Sequence, residues 1–129
     1  MPKNLKQISQ NFFEQDSVVV AKNLIGKILT FHSHQGTIRG IINETEAYHQ
    51  NDKACHAYGG KKTPRNSIMF LSAGHVYIYF TYGMHYCFNI VTEKAEIGCA
   101  VLIRSIIPLE GLEILQKNRS IQENRHFAR

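Results

Sequence analysis

The chain has 129 residues and a mass of 14.8 kDa, the size of one compact domain. Its 43% apolar residues supply a core, which excludes intrinsic disorder and fibrous or coiled-coil architectures. Fifteen Lys and Arg against ten Asp and Glu leave a net charge of +5, which favours a polyanionic partner without requiring one. The aliphatic stretch Val18-Val19-Val20-Ala21 stops at Lys22, far short of the roughly 20 apolar residues of a membrane span. Met1 to Gln7 carries lysines but neither an apolar block nor a small-residue cleavage site behind them, so the expected location is cytoplasmic. Cys55, Cys87 and Cys99 are odd in number and contain no C-x-x-C pair, which points to reduced, mostly buried thiols rather than a disulfide framework or a thiolate zinc site.

No repeat or linker divides the sequence, and Pro occurs only at positions 2, 64 and 108. Asp16-Ser17 precedes Val18, Ala21, Leu24 and Ile25 at helical spacing, and Gly26 is placed to cap the end, which predicts a short helix from Ser17 to Ile25. Lys27–His32 and Thr37–Glu46 read as two strands joined by a turn at His34-Gln35-Gly36. Simple alternation then puts Ile38, Gly40, Ile42, Glu44 and Glu46 on one face of the second strand. The polar run from His49 to Asn66 lacks periodicity and reads as a functional or mobile loop. Beyond it, Ile68–Leu71, His75–Phe80, Tyr86–Val91 and Cys99–Ile107 are rich in aromatic and β-branched residues and read as strands. A last helix is expected from Leu109 to Asn118. Together these elements predict an α+β domain with a curved, mainly antiparallel sheet flanked by short helices.

Three groups of residues could carry chemistry. Glu44 and Glu46 stand at i and i+2, about 6–7 Å apart on one side of an extended strand, where one carboxylate could act as a general base for water. Ion-paired glutamates at a solvated strand edge are the plain alternative. Tyr77, Tyr79, Tyr82 and Tyr86 fall within ten residues on a hairpin; each hydroxyl needs a partner if buried. They read either as cross-strand aromatic pairs or as an electron-rich slot for a nucleobase with a wedge at its tip. Lys61, Lys62, Arg65 and Arg104, with backbone N–H groups near Gly59-Gly60 and Thr63, could meet phosphates. The seven histidines show no metal-ligand spacing, since His32 and His34 lack a recognisable third partner and H-E-x-x-H is absent. Neither a metal nor any other cofactor is expected, and Cys55 has no obvious partner for thiol catalysis.

Five segments, Ile42–Tyr48, His56–Gly60, Thr63–Asn66, Tyr77–Met84 and Val101–Arg104, taken in order and spacing, closely resemble the alkyladenine (3-methyladenine) DNA glycosylase family, from about Phe12 to about Arg119. The resemblance implies a single mixed α/β domain that flips a damaged purine out of duplex DNA and hydrolyses its N-glycosidic bond in base excision repair. It implies that Glu46 deprotonates the attacking water and that Arg104 helps hold that water and the carboxylate. Tyr48, His56 and Tyr79 would line the base pocket, and Asn89 would help exclude normal guanine. Tyr82 would fill the gap left by the flipped nucleotide, Met84 would sit beside it in the minor groove, and Thr63 and Arg65 would contact DNA. The loop between Tyr48 and His56 is one residue shorter than in mammalian members. The family also continues for about another third of its length beyond Arg119, so residues 1–129 would form a single, C-terminally truncated glycosylase domain.

The expected activity is therefore that of a monofunctional, metal-free glycosylase, because no lysine stands at a position matching a Schiff-base site. Its partner would be double-stranded DNA containing alkylated purines. The protein would be monomeric, free of membranes, and nucleoid-associated in a bacterium. Two other readings compete: a remnant that binds damaged DNA without turnover, and a metal-dependent hydrolase built on the histidines.

Overall fold

Asp16 starts the helix that the sequence places at Ser17. Its carboxylate accepts hydrogen bonds from the backbone N–H groups of Val18 (3.1 Å) and Val19 (3.4 Å), two donors that a helix start otherwise leaves open. The computed structural model describes residues 7–55, 57–64, 66–80 and 86–117, with the backbone alone at 79, 80, 86 and 87. In it a single helical turn at Gln10–Phe13 (α1) leads into this helix at Ser17–Leu24 (α2). α2 buries Val20, Ala21 and Leu24 on one stripe. Gly26, at φ +89°, then reverses the chain, as only a residue without a Cβ does cheaply. Its N–H donates to the Ile42 carbonyl at 2.8 Å, which ties the helix end to the sheet.

Five strands follow: β1 (Ile28–Ser33), β2 (Gly36–Tyr48), β3 (Val76–Phe80), β4 (Tyr86–Val91) and β5 (Ala100–Glu110). They form one sheet in the order β1-β2-β5-β4-β3, and every pair is antiparallel. The central β2–β5 pair carries register shifts at Arg39/Gly40, Ile42/Glu44 and Glu44/Thr45; such irregularities bend and twist a strand, and the sheet is curled. One face carries α2, packed on Ile42, Ile90, Val101 and Ile103. The other face carries a second cluster in which Cys55, Ala57, Met69 and Phe70, from the segment between β2 and β3, cover Tyr77, Val91 and Ala100. The domain is α+β, as the sequence predicts.

Two expected elements differ. Residues expected as a strand at Ile68–Leu71 form a 3₁₀ turn at Ser67–Phe70, because Met69 and Phe70 gain burial under the sheet and a short apolar run does not by itself distinguish strand from helix. The last strand runs on to Glu110 instead of yielding to a helix at Leu109. Pro108 pairs with Gly40 and Glu110 with Arg39, and an Arg39–Glu110 ion pair of 2.5 Å closes the end. Helix begins at 112 after Gly111 and is described to 117.

Candidate active site

The face on which Glu46 lies is decided by a bulge. Across β2 and β5, Ile42 pairs with Ile106 and Glu44 with Ser105, so Asn43 has no counterpart. An extra residue inverts the alternation beyond it. Ile42 and Thr45 accordingly both face α2: Ile42 sits in the core beneath the helix, and the Thr45 hydroxyl donates to the Ala21 carbonyl at 2.8 Å. Glu46 therefore points to the opposite face from Ile42, which corrects the simple alternation expected for this strand. Arg104 is likewise passed over, between the pairs Glu44–Ser105 and Thr45–Ile103. The register aligns Tyr77, Asn89, Leu102 and Glu46 in one row across β3, β4, β5 and β2.

Within this row the Glu46 carboxylate is held at both oxygens. Arg104 Nη1 donates to Oε1 at 2.6 Å, and the Tyr48 hydroxyl donates to Oε2 at 2.5 Å. The Glu46 side chain is 35% exposed and that of Arg104 55%, so this is no buried structural ion pair. A carboxylate offers about four acceptor positions; those not used by Tyr48 and Arg104 can take a water. The Tyr48 hydrogen bond, followed by that from Arg104, holds the Glu46 carboxyl below its ordinary 4.5. Donating to Glu46, together with partial burial, pushes the Tyr48 phenol up to about 12. Glu46 also raises Arg104, which senses the negative charge of Glu44 as well. Near neutral pH the group is an anion at 46, a neutral phenol at 48 and a cation at 104. Ser105 Oγ meets Asn43 Oδ1 at 2.5 Å and Glu44 Oε1 at 2.8 Å, so the second carboxylate is occupied separately.

Such a carboxylate is a weak base but a persistent anion. Fixed on a strand, it can orient a water, accept its proton once the oxygen begins to bond, and stabilise positive charge developing opposite it.

The other expected residues divide into those the structure brings to this face and those it uses elsewhere. Asn89 is buried in the row. Tyr77 is 3% exposed and belongs to the core beneath the loop, so this tyrosine of the hairpin is structural. Tyr79 pairs with Cys87 in register. His56, Arg65, Tyr82 and Met84 lie outside the described residues. Thr63 closes a reciprocal pair with Asn66: its N–H donates to Asn66 Oδ1 at 2.7 Å, and its Oγ1 accepts the Asn66 N–H at 3.2 Å. The Gly59 and Gly60 N–H groups donate to the carbonyls of Gln50 (2.8 Å) and Ala57 (2.9 Å). These three backbone donors, expected to meet phosphates, are thus taken within the loop. Lys62 lies 3.7 Å from Glu96 and 5.8 Å from the Phe70 ring centre, and Arg104 holds Glu46 rather than standing free. Cys55 and Cys99 are buried and unbridged, and burial raises both thiols, Cys99 to about 12, which argues against a nucleophilic role for either. Sequence reading missed Leu102 in the row, since an apolar strand residue gives no sign of the face it will share.

A profile of the methylpurine-DNA glycosylase family matches residues 11–129. Similar proteins named "Putative 3-methyladenine DNA glycosylase" include three bacterial relatives. The one from Carboxydothermus hydrogenoformans is 48% identical over 93% of this chain and 62% of its own length. That from Prosthecochloris aestuarii is 50% identical over 88% of this chain and 55% of its own, and that from Clostridium acetobutylicum is 44% identical over 88% and 56%. The matched region thus spans little more than half the length of these relatives. With a matching profile over nearly the whole chain and a fold of the expected class, the chain belongs to the methylpurine-DNA glycosylase family.

Proposed function

We propose that this chain carries the base-excising face of a DNA N-glycosylase that removes alkylated purines, above all 3-methyladenine, in base excision repair. The observation that carries the reading is the partly exposed Glu46 carboxylate, held at its two oxygens by hydrogen bonds from Tyr48 and Arg104. In this mechanism a damaged nucleotide leaves the duplex, with Tyr82 filling the gap, Met84 beside it in the minor groove, and Thr63 and Arg65 on the adjacent DNA. The purine stacks against Tyr48, His56 and Tyr79, and Asn89 clashes with the amino group of normal guanine. An alkylated purine is cationic, so stacking on electron-rich rings gains about 0.5–2 kcal/mol. Its charge also weakens the bond to the sugar. As the bond from C1′ to the purine nitrogen breaks, its electron pair leaves with the base. Water then bonds to C1′ and its proton passes to Glu46. The carboxylate also faces the oxocarbenium-like charge on the sugar, while Arg104 keeps it in place. The reaction is monofunctional and uses no cofactor.

The test is release of free 3-methyladenine from methylated duplex DNA by the native chain and by Glu46→Gln. Loss of a general base predicts a fall of about 10²–10⁴ in the single-turnover rate, with binding retained. Release by the variant at the native rate would overturn the role of Glu46. Salt-sensitive binding of damaged duplex by the native chain without any release would favour a binding remnant over an enzyme. Tyr82→Ser should weaken binding to damaged DNA more than it slows hydrolysis, and an unchanged affinity would remove the wedge role.

A further inference from the structure

Three residues from the ends of separate segments meet near the start of α2: His49 just after β2, Glu93 after β4 and Cys99 before β5. An imidazole nitrogen, a carboxylate oxygen and a sulfur here all lie within 4.8 Å of one another, and His49 Nε2 is 3.7 Å from Glu93 Oε1. Strand alternation puts Cys99 on the same face as Val101 and Ile103, and His49 on that of Thr45 and Ala47. This is the α2 face, opposite to Glu46. Glu93 is anchored twice over. Its Oε2 accepts the Ser17 N–H at 3.2 Å, and its own N–H donates to the Phe13 carbonyl at 2.8 Å, with the backbone at φ +64°. Beside it, Thr92 pairs through its N–H with the Cys99 carbonyl at 3.0 Å. The Thr92 hydroxyl is buried without a hydrogen-bond partner among the described residues, the kind of group that asks for a water or an ion nearby.

We infer that His49, Glu93 and Cys99 form a mononuclear transition-metal site suited to Zn²⁺. One nitrogen, one oxygen and one sulfur donor fit a borderline ion, whereas Ca²⁺ and Mg²⁺ take oxygen ligands. Bonds of about 2.0–2.3 Å in a tetrahedron hold ligand atoms roughly 3.4–3.7 Å apart. The imidazole and carboxylate already stand at that separation, and the sulfur, within 4.8 Å of both, needs to close by about 1.4 Å at most. As sulfur bonds to the metal, the Cys99 thiol proton passes to solvent, and the fourth position takes a water. His49, with a side chain 34% exposed, gives the ion its way in. Lying across the sheet from Glu46, the ion clamps the end of β2, the β4–β5 connection and the start of α2, and acts on stability rather than on chemistry. The histidine spacing along the chain gave no hint of this site, because only one of its donors is a histidine and His49 is remote in sequence from Glu93 and Cys99.

The test is a Co²⁺ titration of the metal-stripped chain. The expected result is one ion per chain, with the visible bands of tetrahedral cobalt and a near-ultraviolet sulfur-to-cobalt charge-transfer band. Zn²⁺ should displace both and raise the Tm. Cys99→Ser should abolish the charge-transfer band. His49→Gln, at a partly exposed position, should weaken binding about tenfold or more with circular dichroism unchanged. Absence of the sulfur-to-cobalt band in the native chain, or undiminished affinity in His49→Gln, overturns the site.

Discussion

Gly98→Ala tests whether the loop that follows Tyr48 is held against the sheet by close packing. Gly98 lies in the β4–β5 connection, where a Cβ would stand 2.5 Å from Ala57 Cβ and 3.0 and 3.1 Å from two carbons of the Phe70 ring. Ala57 is 0% and Phe70 3% exposed, so neither can turn out into solvent. Carbon atoms in contact need roughly 3.5–4.0 Å, so the two segments must part by about 1 Å. Two links between them would stretch: the Gly98 N–H donating to Gln50 Oε1 at 2.9 Å, and the Cys55 thiol directed at the Gly98 carbonyl at 3.8 Å. Overpacking costs about 1–3 kcal/mol, and a weakened hydrogen bond adds about 0.5–1.5 kcal/mol. The variant should therefore lose about 2–4 kcal/mol in urea unfolding at an unchanged m value. Gly26→Ala is the comparison, because nothing lies within 4 Å of a Cβ there and only the backbone at φ +89° is strained, which costs about 1–2 kcal/mol. If Gly98→Ala costs less than Gly26→Ala, close packing does not hold this loop.

Asp16→Ala removes the acceptor at the start of α2 and should lower stability by about 0.5–2 kcal/mol in thermal unfolding; no change would mean that water caps the helix equally well. Leu24→Ala empties a site 2% exposed beneath the sheet and should cost about 2–5 kcal/mol. In a spectrophotometric titration Tyr48 should ionise late, near pH 12, and Tyr48→Phe should delete that late component; a titration without it would break the hydrogen bond to Glu46. The same pair fixes a pH dependence. Glu46 is depressed, so its stabilisation is present above its ordinary 4.5 and lost as pH falls through the lower folded value. Tyr48 is raised, so its share is present below its ordinary 10.0 and lost as pH rises towards about 12. The stability gap between native and Tyr48→Phe should thus be widest between about pH 5 and 10 and narrow on either side. A gap independent of pH would contradict the coupling.

Local signals were legible where short-range chemistry governs. Asp16 and Gly26 bracket α2 because a side-chain acceptor and a residue free of Cβ strain act within a turn of the chain. β4 has the bounds Tyr86–Val91 read from its β-branched and aromatic run, and the segments around Glu46 and Tyr48 carried the family resemblance. Elsewhere the deciding partner was remote. The strand character of Pro108 to Glu110 depends on pairing with Arg39 and Gly40, and the turn at Ser67–Phe70 depends on burial of Met69 and Phe70 beneath a sheet assembled from other segments. The bulge at Asn43 sets which face Glu46 occupies, and it exists only in the register with β5.

Residue order alone therefore determined the class of fold, the helix caps and the side chains available for chemistry, since these follow from neighbours a few positions away. The resemblance already implied that Arg104 holds the Glu46 carboxylate, 58 positions away; only the tertiary structure decided that Glu46 leaves the face of Ile42, that the loop's backbone donors are satisfied internally, and that His49, Glu93 and Cys99 converge. Distances between groups far apart in the chain are set by strand register and packing, and no local pattern of residues encodes them.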